Sequence, residues 1–147
     1  MARVQEERDR ELALGVRAIA IVSRQFEKVC QETGLSLPQY RLLLYVRVRP
    51  QRASELADRA SVKRPTLTAL VDGLVDAGLI RRLSVEGDRR GIRLQLTDEG
   101  RERLLKVEEL LCSKLAQFAS LGDESRVLAG LSELAQSIEA EVDRRLP

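Results

Sequence analysis

The segment from Ala53 to Gly100 places two amphipathic helical patterns and two alternating strand patterns in direct succession. Apolar residues mark one face of a short first helix, Ser54–Ala60: Leu56, Ala57 and Ala60. The second helix begins between Ser61 and Arg64, has Pro65 in its first turn and ends at Gly78. Its inward face consists of Leu67, Leu70, Val71 and Leu74.

Two short strands follow, Leu79–Val85 and Gly91–Leu96, joined by the turn sequence EGDRR at 86–90. In the second strand the apolar Ile92, Leu94 and Leu96 alternate with Arg93 and Gln95, the period of a strand with one buried face. Gly and Asp provide the turn geometry. Two close-set helices followed by a basic hairpin are typical of a winged helix-turn-helix, a fold that reads duplex DNA.

The N-terminal end of a recognition helix is the part that enters the major groove. Basic and hydroxyl side chains at that end of the second helix can contact base edges or phosphates. The predicted DNA contacts there are Lys63, Arg64, Thr66 and Thr68, with Ser54 at the start of the first helix.

Arg89 and Arg90 are adjacent cations in the hairpin turn. Their mutual repulsion is offset by a nearby carboxylate or by a bound anion. Asp88 is the obvious brace for one arginine, which leaves the other to reach a narrow minor groove.

Charge is distributed unevenly along the 147 residues, although the net charge is only +2. Residues 47–103 hold 13 basic and 9 acidic side chains, whereas residues 104–147 hold 5 and 8. A polyanion is therefore attracted to the middle of the chain.

Long amphipathic helices flank this centre. One is predicted from about Glu6 to Gln31, ended by Gly34; the others are Asp98–Phe118, capped by Thr97, and Asp123–Arg145. A further helix opens with a Ser36–Gln39 capping box, and Pro50 marks its end. The apolar positions expected to join two copies of the chain are Leu12, Val16, Ile19, Leu131, Leu134, Ile138 and Val142.

The predicted fold is mainly α: one domain over residues 1–147, with a small antiparallel β wing. Residues 35–100 form the winged helix-turn-helix, and residues 1–34 and 101–147 form the dimerisation helices. No residue is His, and Cys30 and Cys112 lie far apart without metal-ligand spacing, which excludes both a zinc site and a His-based triad. Cys30 and Cys112 are expected to be buried thiols. With no apolar stretch of about 18 residues and no secretion signal, we expect a cytoplasmic protein without membrane contact, cofactor, metal or enzymatic activity.

Several short segments in this order resemble MarR-type transcriptional regulators over nearly the whole chain. They are LSLPQY at 35–40, ELA at 55–57, PTLT at 65–68, LVDGL at 70–74, GLIRR at 78–82, DRR at 88–90 and LTDEG at 96–100. The resemblance implies a homodimer that binds a pseudo-palindromic operator in double-stranded DNA, usually as a repressor. By this resemblance, the recognition-helix residues are Lys63, Arg64, Thr66 and Thr68, and the wing residues are Arg89 and Arg90. The dimer contacts lie in the terminal helices.

Many members of that family release DNA when a small aromatic or phenolic compound binds between the dimerisation and DNA-binding parts. The resemblance places such a pocket near Tyr40. Other members sense peroxides through a cysteine of the first helix, and Cys30 lies at the C-terminal end of that helix. A thiol-based regulator using Cys30 is thus one alternative, and a winged helix that binds an acidic protein instead of DNA is another.

Overall fold

The computed structural model describes residues 1–60, 62–85 and 88–145, except for the side chains of residues 2, 85, 88–91, 142, 143 and 145. Over these residues the chain forms six helices and a three-stranded antiparallel sheet. The helices are α1 (Ala2–Glu32), α2 (Leu37–Val46), α3 (Ala53–Ala60), α4 (Arg64–Asp76), α5 (Asp98–Ala119) and α6 (Glu124–Arg145). The strands are β1 (Gln51–Arg52), β2 (Ile80–Val85) and β3 (Asp88–Leu96). The mainly α fold with a β wing is confirmed.

Local capping signals set the helix ends as the sequence predicts. The Ser36 hydroxyl accepts from the Gln39 amide, and the Gln39 side chain accepts in return from the Ser36 amide, at 3.2 and 2.9 Å. Gly34 and Gly78 have φ of 77° and 72°, the left-handed conformation that lets the chain leave α1 and α4. Helix α2 ends at Val46, four residues before Pro50, which has no N–H to donate to the Val46 carbonyl.

The sheet has strand order β1-β3-β2, with β3 in the centre. Strand β1 was not predicted; it is only two residues long and pairs Gln51 with Leu94. Leu94 and Leu96 point into the core as expected, but Ile92 is 51% exposed. The expectation for Ile92 was wrong because it pairs with Ser84 next to a register shift, where the hairpin extends past the core.

An aliphatic core joins the helices to one face of the sheet. Its fully buried side chains come from every part of the centre and include Leu42, Leu43, Leu56, Leu74, Leu79, Ile80, Leu94 and Leu104. Helix α1 contributes its C-terminal turns, where Val29 and Cys30 are buried and Phe26 packs against the core partly buried. No described helix is long and apolar enough to cross a lipid bilayer.

The start of α5 is fixed against the turn between α4 and β2. Thr97 donates its backbone amide to the Leu79 carbonyl at 3.1 Å and its hydroxyl to the Gly78 carbonyl at 2.7 Å. The same hydroxyl caps α5 by accepting from the Gly100 amide at 3.0 Å. A Cβ added to Gly100 would lie 2.0 Å from the Leu79 carbonyl oxygen, so only glycine fits this contact. We call these four residues the α5 joint.

Replacing Gly100 with alanine should therefore destabilise the fold by about 2 kcal/mol or more, because neither backbone can yield without breaking the Thr97 hydrogen bonds. Urea unfolding followed by circular dichroism measures the change. Gly122→Ala is the matched control, since its added Cβ would meet nothing within 4 Å, and it should stay within about 0.5 kcal/mol of the parent. Equal stability of the two variants would contradict the account of the joint.

Candidate nucleic-acid interface

Helix α4 is divided lengthwise into a buried and an exposed face. Leu67, Val71 and Leu74 are buried against the core, and Leu70 is half-buried. The four predicted contacts at its N-terminal end are all exposed: Lys63, Arg64, Thr66 and Thr68. Burial of one face thus holds the helix to the core while a basic and hydroxyl-rich end faces solvent.

Helix α3 lies directly before α4 and packs Leu56 and Ala57 into the same core. The Val62 amide donates to the Ala57 carbonyl at 3.2 Å, which tightens the connection between the two helices. Ser54 is exposed in the first turn of α3. The α3–α4 pair therefore has the helix-turn-helix arrangement that the sequence predicted.

The hairpin β2–β3 extends from the C-terminal end of α4. The side chains of Asp88, Arg89 and Arg90, the predicted brace and minor-groove contacts, lie outside the described residues. Their backbone belongs to β3, where Asp88 pairs with Val85.

Two polar contacts at the base of the hairpin were not predicted. On β2, Arg82 pairs its Nη2 with the Asp72 carboxylate of α4, and Arg81 donates to the Gln95 side chain of β3 at 2.8 Å. The register, which sets these pairings, is not visible in the sequence. The segment DGLVDAGLIRR at 72–82 holds two acids and two arginines, and nothing in it indicates that the first acid pairs with the last arginine.

An apolar groove of about 780 Å³ lies between α1, α2, α5 and α6. Its walls are mostly apolar and include Ile19, Val22, Phe26, Leu44, Leu115, Phe118, Val127 and Leu131. Tyr40, Arg41 and Ser23 supply the polar groups. Tyr40, predicted to lie at a ligand pocket, thus lines the groove where the flanking helices meet the helix-turn-helix.

Titration of Tyr40 is shifted by its surroundings. Burial, with a further contribution from the Glu108 carboxylate, raises the pKa of Tyr40 to about 12. A tyrosine with its ordinary pKa is already neutral at physiological pH, and the raised pKa makes this phenol still harder to ionise. Glu108 itself is paired with Arg47 at 3.0 Å, a contact that ties α5 to the end of α2.

The two cysteines differ in exposure. Cys30 is fully buried, as expected, but Cys112 is exposed, because position 112 is turned about 100° around α5 from Leu111 and lies beside the buried stripe of Leu104, Val107 and Leu111. Burial raises the pKa of the Cys30 thiol, although the Arg41 guanidinium acts in the opposite direction. Among the described residues, no group of three acidic, Cys or His side chains could hold a metal ion.

The apolar faces of α1 and α6 are exposed in the single chain. Leu12, Val16 and Ile19 are 57–66% exposed. Leu131, Leu134 and Ile138 are 39–54% exposed, and the side chain of Val142 lies outside the described residues. These are the positions that the sequence assigned to contacts between two copies.

Comparison with known proteins agrees with this geometry. Residues 33–91 match the MarR family. The chain is 33% identical over 97 residues to the HTH-type transcriptional regulator PecS of Dickeya dadantii (strain 3937), covering 63% of this chain and 58% of PecS. The match thus spans less than two-thirds of that relative.

Two solved structures extend the similarity over most of the chain. The transcriptional repressor CouR, bound to a 23-mer DNA duplex, superimposes with a TM-score of 0.68 at 28% identity, over 84% of this chain and 89% of CouR. NadR in complex with 4-hydroxyphenylacetate superimposes with a TM-score of 0.65 at 26% identity, over 84% of this chain and 87% of NadR.

The curated relative and the DNA-bound repressor are both named as regulators of transcription, which agrees with the prediction that the chain is not an enzyme. The matched segment, the order of the elements and the winged helix-turn-helix lead to one conclusion. The segment that holds α2, the helix-turn-helix and the start of the wing, residues 33–91, matches the MarR family, and the chain as a whole is similar to regulators of transcription.

Proposed function

We propose that this protein is a homodimeric repressor that binds a pseudo-palindromic operator and releases it when a small aromatic or phenolic effector binds. The proposal of DNA binding rests on one observation, that α4 has a buried face and an exposed face. Its apolar face is fixed in the core while Lys63, Arg64, Thr66 and Thr68 face solvent at its N-terminal end. A DNA-binding regulator acts in the compartment that holds the DNA, so the proposal places the protein in the cytoplasm.

The chemistry of that end of α4 suits a DNA groove. The two cations attract the phosphates, and the hydroxyl groups can donate to phosphates or accept from base edges. CouR, whose structure holds a DNA duplex, supports the same use of the fold here. Arg89 and Arg90 then provide the second contact from the wing, with Asp88 as their brace.

We propose dimerisation because the apolar faces of α1 and α6 are exposed to solvent in a single copy of the chain. Residues 3–21 of α1 are all exposed, a length of about 30 Å, and residues 120–140, which include most of α6, are exposed as well. Exposed apolar area of this extent marks a contact surface. A second copy offers the same faces, and a two-fold dimer presents two reading helices to two half-sites.

The groove near Tyr40 suits the proposed effector. Its apolar walls would contact an aromatic ring, and the neutral Tyr40 hydroxyl and the Arg41 guanidinium can bind a phenol or carboxylate. NadR, solved with 4-hydroxyphenylacetate, supports this class of ligand. Because α1 and α6 line the groove together with α2, a bound molecule would alter how the dimer holds the two DNA-binding parts.

Thiol-based sensing through Cys30 is less favoured. A sensing cysteine reacts as an exposed thiolate, whereas Cys30 is buried and its pKa is raised. The other alternative, an acidic protein partner in place of DNA, is separated by the DNA measurements below.

DNA binding should depend on the exposed cations of α4. Lys63→Ala combined with Arg64→Ala should weaken binding to an operator at least about tenfold and reduce the salt dependence of log K by about two phosphate equivalents. Gel shifts on the region upstream of the protein's own gene, at several salt concentrations, measure both quantities. Lys28→Ala with Lys106→Ala removes the same charge elsewhere and should change neither by much.

The wing arginines decide between DNA and a protein partner. Arg89→Ala with Arg90→Ala should also weaken operator binding about tenfold. Unchanged DNA affinity in this double variant would mean that the wing is not a DNA element and would favour a protein partner. Binding by the parent chain that hardly varies with salt would count against DNA recognition altogether.

The dimer should depend on the apolar face of α6. Ile138→Asp would bury an unpaired carboxylate between two copies and should raise the dimer dissociation constant at least about a hundredfold. Sedimentation velocity measures the change. Leu121→Asp, at a leucine that is 83% exposed between α5 and α6, should leave the dimer intact. A stable, DNA-competent dimer carrying Ile138→Asp would refute the proposed interface.

An effector should raise the thermal midpoint and lower DNA affinity together, because the two effects are linked. A panel of small phenols and aryl carboxylates that includes 4-hydroxyphenylacetate provides the probes. Ser23→Trp, which fills the groove, should abolish both effects while leaving DNA affinity within about twofold of the parent. A panel with no active member, or effects that persist in Ser23→Trp, would contradict the proposed pocket.

A further inference from the structure

The exposed face of α4 carries an acid in line with the proposed DNA contacts. Arg64, Thr68 and Asp72 are spaced four residues apart, so their side chains follow one another along the same stripe of the helix. The Thr68 hydroxyl donates to the Arg64 carbonyl at 3.0 Å, which holds it on the helix surface. All three residues are exposed. A carboxylate on this stripe would repel phosphates, so its presence requires an explanation.

Asp72 is paired with Arg82 on β2. The Arg82 Nη2 contacts the Asp72 Oδ1, and the two side chains remain 41% and 52% exposed. A half-exposed pair of this kind contributes little to global stability. Its position is more informative, because Arg82 lies on the strand that leads from α4 to the wing, three residues before the strand ends at Val85.

Helix α4 and the hairpin share the core through Leu74, Ile80 and Leu94, and two polar contacts attach them as well. The first is the turn after α4, where the Leu79 amide donates to the Leu74 carbonyl at 2.9 Å and Gly78 adopts a positive φ. The second is the Asp72–Arg82 pair, which joins the exposed side of the helix to the strand. The core and the turn hold the base of the hairpin, and the ion pair adds a restraint on the angle between the helix and the hairpin from their exposed side.

Arg81 provides an internal comparison. It precedes Arg82 on the same strand and is also exposed, but its Nε donates to the Gln95 side chain across the ladder. Consecutive strand residues point to opposite faces of the sheet. The contact of Arg81 therefore links β2 to β3, and that of Arg82 links β2 to α4.

We propose that the Asp72–Arg82 ion pair is a positioning strut that holds the wing at the angle at which α4 and the wing contact DNA together. The strut rests on the DNA-binding function proposed above. Neither residue needs to touch DNA. Arg82 also neutralises Asp72, so the carboxylate can stay on the reading stripe without repelling phosphates.

The strut and simple electrostatics predict opposite effects of Asp72→Asn on the affinity for the operator. Asp72→Asn removes a negative charge from a surface that faces a polyanion, and charge alone would tighten binding. Loss of the strut should instead weaken operator binding about fivefold or more, because the wing no longer docks with the helix. Asp76→Asn is the matched control: it makes the same charge change one turn further along α4, where Asp76 has no ion pair with another described side chain.

Operator titrations of the full-length dimer test this sign. Asp72→Asn, Arg82→Gln and the combined variant should all bind about fivefold or more weakly and to similar extents. Arg82→Lys should recover most of the affinity, and Asp76→Asn should bind like the parent or tighter. Arg81→Gln, which removes a cation but leaves the strut intact, should lose less affinity than Arg82→Gln. Thermal midpoints should stay within a few degrees across the set. Asp72→Asn binding that equals or exceeds that of the parent would overturn the strut.

A measurement on the free protein separates failure of the strut from failure of the DNA proposal. Spin labels at Thr66→Cys and Ser84→Cys, in a Cys112→Ser background, report the distance between α4 and the hairpin by pulsed electron resonance. The distribution should be narrow in the parent and in Asp76→Asn, and broader in Asp72→Asn. An unchanged distribution would overturn the strut even if DNA binds, and a broadened one would support it even if no operator is found.

Discussion

The close contact between α5 and the turn after α4 is the constraint on which the rest of the structure depends. Three elements meet at Gly78 and Leu79: the end of the reading helix, the start of the wing and the first turn of a long flanking helix. Gly100 allows the backbones to approach because it has no side chain. Thr97 then satisfies the carbonyls that the turn leaves free and caps α5 with the same hydroxyl. The flanking helix is therefore fixed directly to the winged helix-turn-helix.

This arrangement separates two kinds of surface. The winged helix-turn-helix presents cations and hydroxyl groups on α4, whereas the exposed faces of α1 and α6 are apolar. The groove that Tyr40 lines lies between them and is built from both sides. In the proposed mechanism, effector binding in the groove changes the position of the helix-turn-helix relative to α1 and α6 and so weakens operator binding by α4. The operator must then weaken effector binding by the same factor.

Local signals in the sequence predicted most of the fold. The Ser36–Gln39 box, the Thr97 cap and the terminating Gly34 and Gly78 act over a few residues, and each appears in the structure as expected. The buried face of α4 follows from helical periodicity in the same way. Exposure of Lys63 and Arg64 could be predicted for that reason.

Features that depend on distant pairing could not be read from the sequence. Strand β1 exists because Gln51 pairs with Leu94, more than forty residues away. Exposure of Ile92 follows from where the hairpin leaves the core, and the Asp72–Arg82 pair follows from how β2 packs beside α4. Each requires the tertiary arrangement that the local signals do not encode.

Selection of random DNA duplexes by the purified protein, with the mass of the complex measured on the enriched duplex, tests the central claim most directly. The account predicts a pseudo-palindromic consensus with half-site centres about one helical turn, or 10 base pairs, apart, and two copies of the chain on each duplex. An asymmetric consensus bound by one copy, or no enrichment at all, would contradict it.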